Sequence, residues 1–179
     1  LQTPPDAGLV PREQLAADEV LHELAEPVSR GSIQVQRLAG AGFESRPSLV
    51  LTVPGTEPGS VGLVGSHFDV VPADRDSQGW SRDPFRLHVE PDGTLYGRGV
   101  TDCLGHVALL TELLRHLGEP EHRPRRTVHV VLIANEEAVP VAGVGLDHVL
   151  EVGAMEPLRS GPLFWLDATA FGPTVGTGG

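Results

Sequence analysis

Apolar residues return along the chain with two different periods, and the alternation between them predicts the layers of the fold. Val20, Leu21 and Leu24 fall at helical spacing within residues 18–24, downstream of Pro11, which predicts an amphipathic helix ending near Ser29-Arg30-Gly31. Ile33 to Leu38 alternates apolar and polar, and Ser48 to Val53 comes after a glycine-containing turn; both predict half-buried strands. Val61 to Gly65 is instead a short, almost wholly apolar run bounded by glycines, the pattern of a strand buried on both faces of a mostly parallel sheet. Residues 72–93 carry Pro, Asp, Gly and Ser with little periodicity and predict a long surface excursion. Leu104, Val107, Ala108, Leu110, Thr111, Leu114 and Leu117 then lay out a broad apolar stripe, so residues 103–117 predict a helix, stopped by Gly118 and Pro120. The Val-rich run Thr127 to Ala134 predicts a second central strand, Val144 to Leu150 a short helix, and Leu163 to Leu166 a third buried strand. Strands alternating with helices predict an α/β protein, a three-layer sandwich around a mostly parallel central sheet.

Composition narrows what this fold does. The 179 residues suit one domain, with no internal repeat or low-complexity tract. With 24 acidic and 13 basic side chains the formal net charge is −11, which disfavours nucleic acid or an anionic membrane as the main partner. The cluster Arg123, Arg125 and Arg126 is too small to reverse that. Cys103 is the single cysteine, so no intrachain disulfide framework forms, and a reducing, cytoplasmic compartment is expected. No stretch approaches the ~20 apolar residues that cross a bilayer, and Leu1 to Asp6 lacks the pattern of a signal peptide.

In an open α/β sheet, ligands bind beyond the carboxyl ends of the strands, where loops converge on a rigid base. Three apolar runs here lead into metal-type ligands: Val61 to Gly65 into His67 and Asp69, Thr127 to Ala134 into Glu136 and Glu137, and Leu163 to Leu166 into Asp167. Asp102 comes after the glycine-rich residues 96–101 and opens the strongest helix. His67 and Asp69 are two apart, so in extended backbone they share a face, and Asp69 is expected to accept a hydrogen bond from the imidazole and fix its tautomer. Glu136 and Glu137 are adjacent and expected to diverge, one toward a metal and one toward a water. Asp102, Glu136, Glu137 and Asp167, once clustered, would repel strongly unless cations or protons intervened.

Each feature has a plainer reading. Asp102 could be a helix N-cap, Asp167 a turn residue, and His67-Phe68-Asp69 ordinary surface chemistry. Their conjunction at one end of the sheet is what favours metal. His106 reads as a helix-surface or core residue, and His22, His88, His116, His122, His129 and His148 have no acidic partner pattern. Cys103 reads as a small buried side chain. Gly176-Thr177-Gly178-Gly179 lacks the lysine and adjoining helix of a phosphate loop.

The strings GSHFDVVPAD (65–74), DPF (83–85), LYGRGVTDCLGHVALLTELL (95–114), IANEE (133–137), FWLD (164–167) and VGTGG (175–179), in that order, resemble a zinc peptidase family. It includes succinyl-diaminopimelate desuccinylase, aminoacylases and glutamate carboxypeptidases, and its eukaryotic-type acetylornithine deacetylase branch is the nearest match. The resemblance implies two divalent metal ions, zinc or cobalt. It implies that His67 and Asp167 bind the first, that Asp102 bridges both, and that Glu137 binds the second. Asp69 would orient His67, Glu136 would be the general base, and the peptide bond after Asp102 would be cis. The implied reaction removes the acetyl group from N2-acetyl-L-ornithine, giving ornithine and acetate in arginine biosynthesis. Aminoacylase or dipeptidase activity at the same metal site, and a non-catalytic metal-binding fragment, are the alternatives. The resemblance further implies that residues 1–179 are the N-terminal part of the catalytic domain, with a lid and dimerisation domain and a last histidine ligand elsewhere in a homodimeric protein. The 179 residues are accordingly expected to bind one metal well, the second poorly, and to turn over little.

Overall fold

The computed structural model describes residues 12–167. Helix α1 (Glu13–Glu23) and the short α2 (Ala25–Ser29) replace the single predicted helix. The break at Leu24 arises from Pro27, which has no N–H to give to the Glu23 carbonyl and whose ring crowds that carbonyl in a continuous helix. Strands β1 (Gln34–Leu38), β2 (Ser48–Val53) and β3 (Ser60–Val64) lie within a residue or two of their predicted bounds. The surface excursion is not wholly irregular, because β4 (His88–Val89) and β5 (Leu95–Tyr96) pair as a ribbon at its far end. The turn of that ribbon is set by Gly93 at φ 87° and by Asp92, whose carboxylate accepts the Thr94 N–H. Helix α3 (Leu104–Leu117), strand β6 (Thr127–Leu132), helix α4 (Gly145–Glu151) and strand β7 (Leu163–Trp165) complete the described chain.

The main sheet has the order β1-β2-β6-β3-β7. β2 runs antiparallel to both β1 and β6, and β6, β3 and β7 are mutually parallel, so four of five strands share one direction. Alternating residues of the central strands feed two cores. Leu49, Leu51, Val53, Val130 and Leu132 pack with Ala17, Val20, Leu110 and Leu114 of α1 and α3 on one face. Val50, Val131 and Ile133 pack with Val149 of α4 and Leu158 on the other. Both faces of β6 are therefore dry, which is why its sequence is a continuous apolar run and not an alternating one.

Two expectations are corrected. Strand β2 is not half-buried, because Leu49, Leu51 and Val53 enter one core and Val50 the other. Leu163, Phe164 and Trp165 are about half exposed (48–53%), not buried, because β7 is the edge strand and no described element covers its outer side. Among the described residues no helix is long and apolar enough to cross a membrane.

Candidate metal centre

The three parallel strands are tied together at their carboxyl ends, and the tie sets the spacing of the site. Phe68 N–H donates to the Ile133 carbonyl (2.9 Å) and Ile133 N–H to the Ser66 carbonyl (3.0 Å). Ser66 Oγ donates to the Leu166 carbonyl (2.7 Å). His67, Asn135 and Asp167 thus leave the sheet side by side. The loop before α3 brings Asp102 over them, through a peptide bond to Cys103 that is cis.

His67 is fully buried, and its Nε2 faces carboxylates from three other segments: Asp102 Oδ1 at 3.0 Å, Asp167 Oδ1 at 3.7 Å and Glu136 Oε2 at 3.8 Å. Ligand-type atoms of His67, Asp102, Cys103 and Asp167 lie within 4.8 Å of one another, and so do those of His67, Glu136 and Glu137. Every residue singled out from the sequence as a metal ligand therefore converges on one place. Glu136 and Glu137 do not diverge as adjacent strand residues would, because Asn135, at φ 55°, turns the chain out of the extended conformation first.

Asp69 acts differently from the expectation. The partner of His67 Nδ1 at 2.9 Å is the Asp69 backbone carbonyl, with its carboxylate at 3.5 Å. The carboxylate instead accepts the backbone N–H groups of Glu136 and Glu137, one on each oxygen, both at 3.0 Å. Asp69 therefore links the β3 end of the site to the β6 end. Cys103, buried as expected, has its Sγ against the His67 backbone, accepting the N–H at 2.9 Å. That contact occupies the sulfur and favours packing over ligation.

The electrostatics reflect this crowding of acids. Burial alone would lower the His67 pKa, but the polar contacts with Asp69 and Cys103 and the negative charge of Asp69 outweigh it and push it up to about 12. Burial would raise the Asp69 carboxyl, yet His67 and the two backbone N–H groups hold it below its ordinary value. Partial desolvation first, and then the charges of Asp167, Asp69 and Asp102, raise Glu136 despite the opposing charge of His67. Desolvation and Asp102 raise Glu137. The site favours an added positive charge at Nε2, and one imidazole among carboxylates is a donor set that suits zinc, cobalt or manganese. The residues fit a divalent cation between His67, Asp102 and Asp167.

Residues 63–177 match Peptidase family M20/M25/M40. The chain belongs to that family. It is 38% identical, over its whole length, to an acetylornithine deacetylase of Dictyostelium discoideum, and 41% identical over 98% of its length to one of Arabidopsis thaliana. It spans about two fifths of those relatives, 41% and 39% respectively. The crystal structure of human carnosine dipeptidase 1 superposes with a TM-score of 0.65 at 28% identity, over 88% of this chain and 34% of that one. The mixed, mostly parallel sheet with flanking helices is accordingly the fold of this hydrolase family.

Sequence reasoning missed the residues behind the site. Glu13, Arg46 and Asn135 form a buried polar network against the Glu136-Glu137 turn, through side chains 33 and 89 residues apart in sequence. No spacing rule joins positions that far apart. The terminal glycines 176–179 and the first residues, Leu1 to Asp6, lie outside the described residues.

Proposed function

We propose that this chain carries the metal centre of a metal-dependent amidohydrolase that removes the acetyl group from N2-acetyl-L-ornithine. The observation that carries the reading is the convergence of Asp102, Asp167 and Glu136 on the Nε2 of a buried histidine, at the carboxyl ends of parallel strands. In this reading His67 and Asp167 would hold one zinc or cobalt ion and Glu137 a second, with Asp102 shared between them. When bound, the cations lower the pKa of a water and polarise the acyl carbonyl. Glu136, whose carboxyl burial raises above its ordinary value, accepts a proton from the water as its oxygen bonds to the acyl carbon, and returns it to the amine as the C–N bond breaks, so that acetate and ornithine leave. Asp69 holds the backbone of both glutamates and the ring of His67 in register for this exchange.

Residues 1–179 then form the N-terminal part of the catalytic domain. The full-length protein is a cytoplasmic homodimer acting in arginine biosynthesis on a small-molecule substrate, without nucleic acid or membrane. The names of the two deacetylase relatives support the substrate; the likeness to a dipeptidase structure makes dipeptides and other N-acyl amino acids the competing substrates.

The test is metal content and acetylornithine hydrolysis of the full-length protein, wild type beside Glu136→Ala, after loading with zinc or cobalt. Wild type should bind about two ions and release ornithine, and the variant should keep metal and lose turnover. Metal binding without acetylornithine cleavage would transfer the site to another N-acyl amino acid or a dipeptide, and absence of metal binding would end the hydrolase reading.

A further inference from the structure

Behind the Glu136-Glu137 turn, three buried polar side chains from separate parts of the chain meet. Arg46, in the loop before β2, donates to Glu13 Oε1 on α1 from Nε (2.8 Å) and from Nη2 (2.5 Å). The same Nη2 donates to Asn135 Oδ1 at 2.8 Å. Glu13, Arg46 and Asn135 are only 1%, 5% and 8% exposed. Asn135 in turn donates from Nδ2 to the Val139 carbonyl at 3.0 Å.

Stability gives a poor account of this arrangement. A buried ion pair is often no better than well-packed apolar residues of the same volume, because desolvation cancels the Coulomb gain. Here, moreover, the second Glu13 oxygen is buried with no hydrogen-bond partner among the described residues. What the pair does achieve is placement. Asn135 is the residue immediately before Glu136 and holds the left-handed backbone that swings both glutamates toward His67. Asparagine tolerates that conformation but does not require it. The turn is held from outside, by the Asp69 carboxylate on the Glu136 and Glu137 N–H groups and by Arg46 on the Asn135 side chain.

We propose that Arg46, braced by Glu13, is a positioning residue that locks Asn135 and so fixes the turn on which Glu136 and Glu137 stand. The roles of the two glutamates rest on the hydrolase reading; the locking of the turn does not. Two variants of the full-length protein separate the possibilities. Asn135→Gly keeps a residue that adopts positive φ while removing both side-chain links. Glu13→Leu combined with Arg46→Met removes the pair together, so that no lone charge is left buried. Each is compared with wild type by cobalt titration of the metal-free protein, read from visible absorption, by kcat and KM for acetylornithine, and by urea unfolding.

Folded variants should bind cobalt roughly tenfold more weakly or worse, and lose roughly tenfold or more in kcat while KM moves about twofold or less; Arg46→Lys, which keeps the cation, should recover part of both losses. Folded variants with wild-type cobalt affinity and wild-type kcat per bound metal would overturn the proposal, and so would a change confined to the urea midpoint, which marks a purely structural pair. If Asn135→Gly does not fold, the Glu13→Leu/Arg46→Met protein decides the matter alone. If wild type binds cobalt but cleaves no N-acyl amino acid, the substrate reading fails, while weaker cobalt binding by the variants still upholds the positioning role.

Discussion

Replacing Asp69 by asparagine tests the link between the two ends of the site, because it keeps the shape of the side chain and removes one acceptor and the charge. Asp69 is fully buried, and each of its oxygens accepts one backbone N–H, from Glu136 and from Glu137, at 3.0 Å. An amide has a single acceptor oxygen, so one N–H keeps a neutral partner and the other faces an NH2 donor. Weakening the first bond from charge-assisted to neutral costs about 1 kcal/mol, and losing the second with its donor orphaned costs about 1–3 kcal/mol. The sum, about 2–4 kcal/mol, is a large fraction of the about 5–15 kcal/mol that holds a domain together. Urea unfolding of the metal-free wild type and variant at neutral pH measures it directly, the depressed pKa of Asp69 ensuring that the wild-type group is ionised there. Zinc affinity should fall about 10–100-fold as well, because the Glu136-Glu137 turn loses the carboxylate that holds it, while the residue-69 backbone carbonyl still supports the His67 ring. An Asp69→Asn protein within about 0.5 kcal/mol of wild type would refute this account, since that is the range of a surface substitution.

Other perturbations probe the layers around the site. Leu114, fully buried between α3 and the sheet, should cost about 2–5 kcal/mol on replacement by alanine, read from the urea midpoint. Gly161→Ala should destabilise the start of β7, because the new Cβ would lie 1.7 Å from the Ser60 backbone carbonyl oxygen, which no side-chain rotation relieves; a wild-type urea midpoint would count against the tight β3–β7 approach. Burial, outweighing Arg46, raises the Glu13 carboxyl above its ordinary 4.5. The folded protein thus favours the protonated acid, and this contribution to stability is fully present below pH 4.5 and is lost as pH rises through the raised folded value. Glu13→Gln cannot ionise, so its urea midpoint should decline less than that of wild type over the same rise in pH.

Much of the architecture was legible in the order of residues because local physics dictated it. A run such as Val128 to Ile133, apolar at every position but His129, suits burial on both faces, and β6 is so placed. The stripe from Leu104 to Leu117 with Gly118 behind it could form little but a helix with one dry face, and α3 does so. The metal-type residues were legible for a related reason: acids and a histidine placed directly after apolar strands must emerge at one end of a parallel sheet, and His67, Glu136, Glu137 and Asp167 emerge there together. What chain order could not supply was everything fixed by contact between distant segments. Whether Leu163 to Trp165 would be central or at the edge depended on strand order, which the apolar run does not encode. Whether Asp69 would serve His67 through its carboxylate or its carbonyl depended on the Glu136-Glu137 N–H groups, which claimed the carboxylate first. The Glu13-Arg46-Asn135 network had no sequence signature, since hydrogen bonds between side chains 33 and 89 positions apart exist only once the packing of α1 against the sheet has brought them within 3 Å.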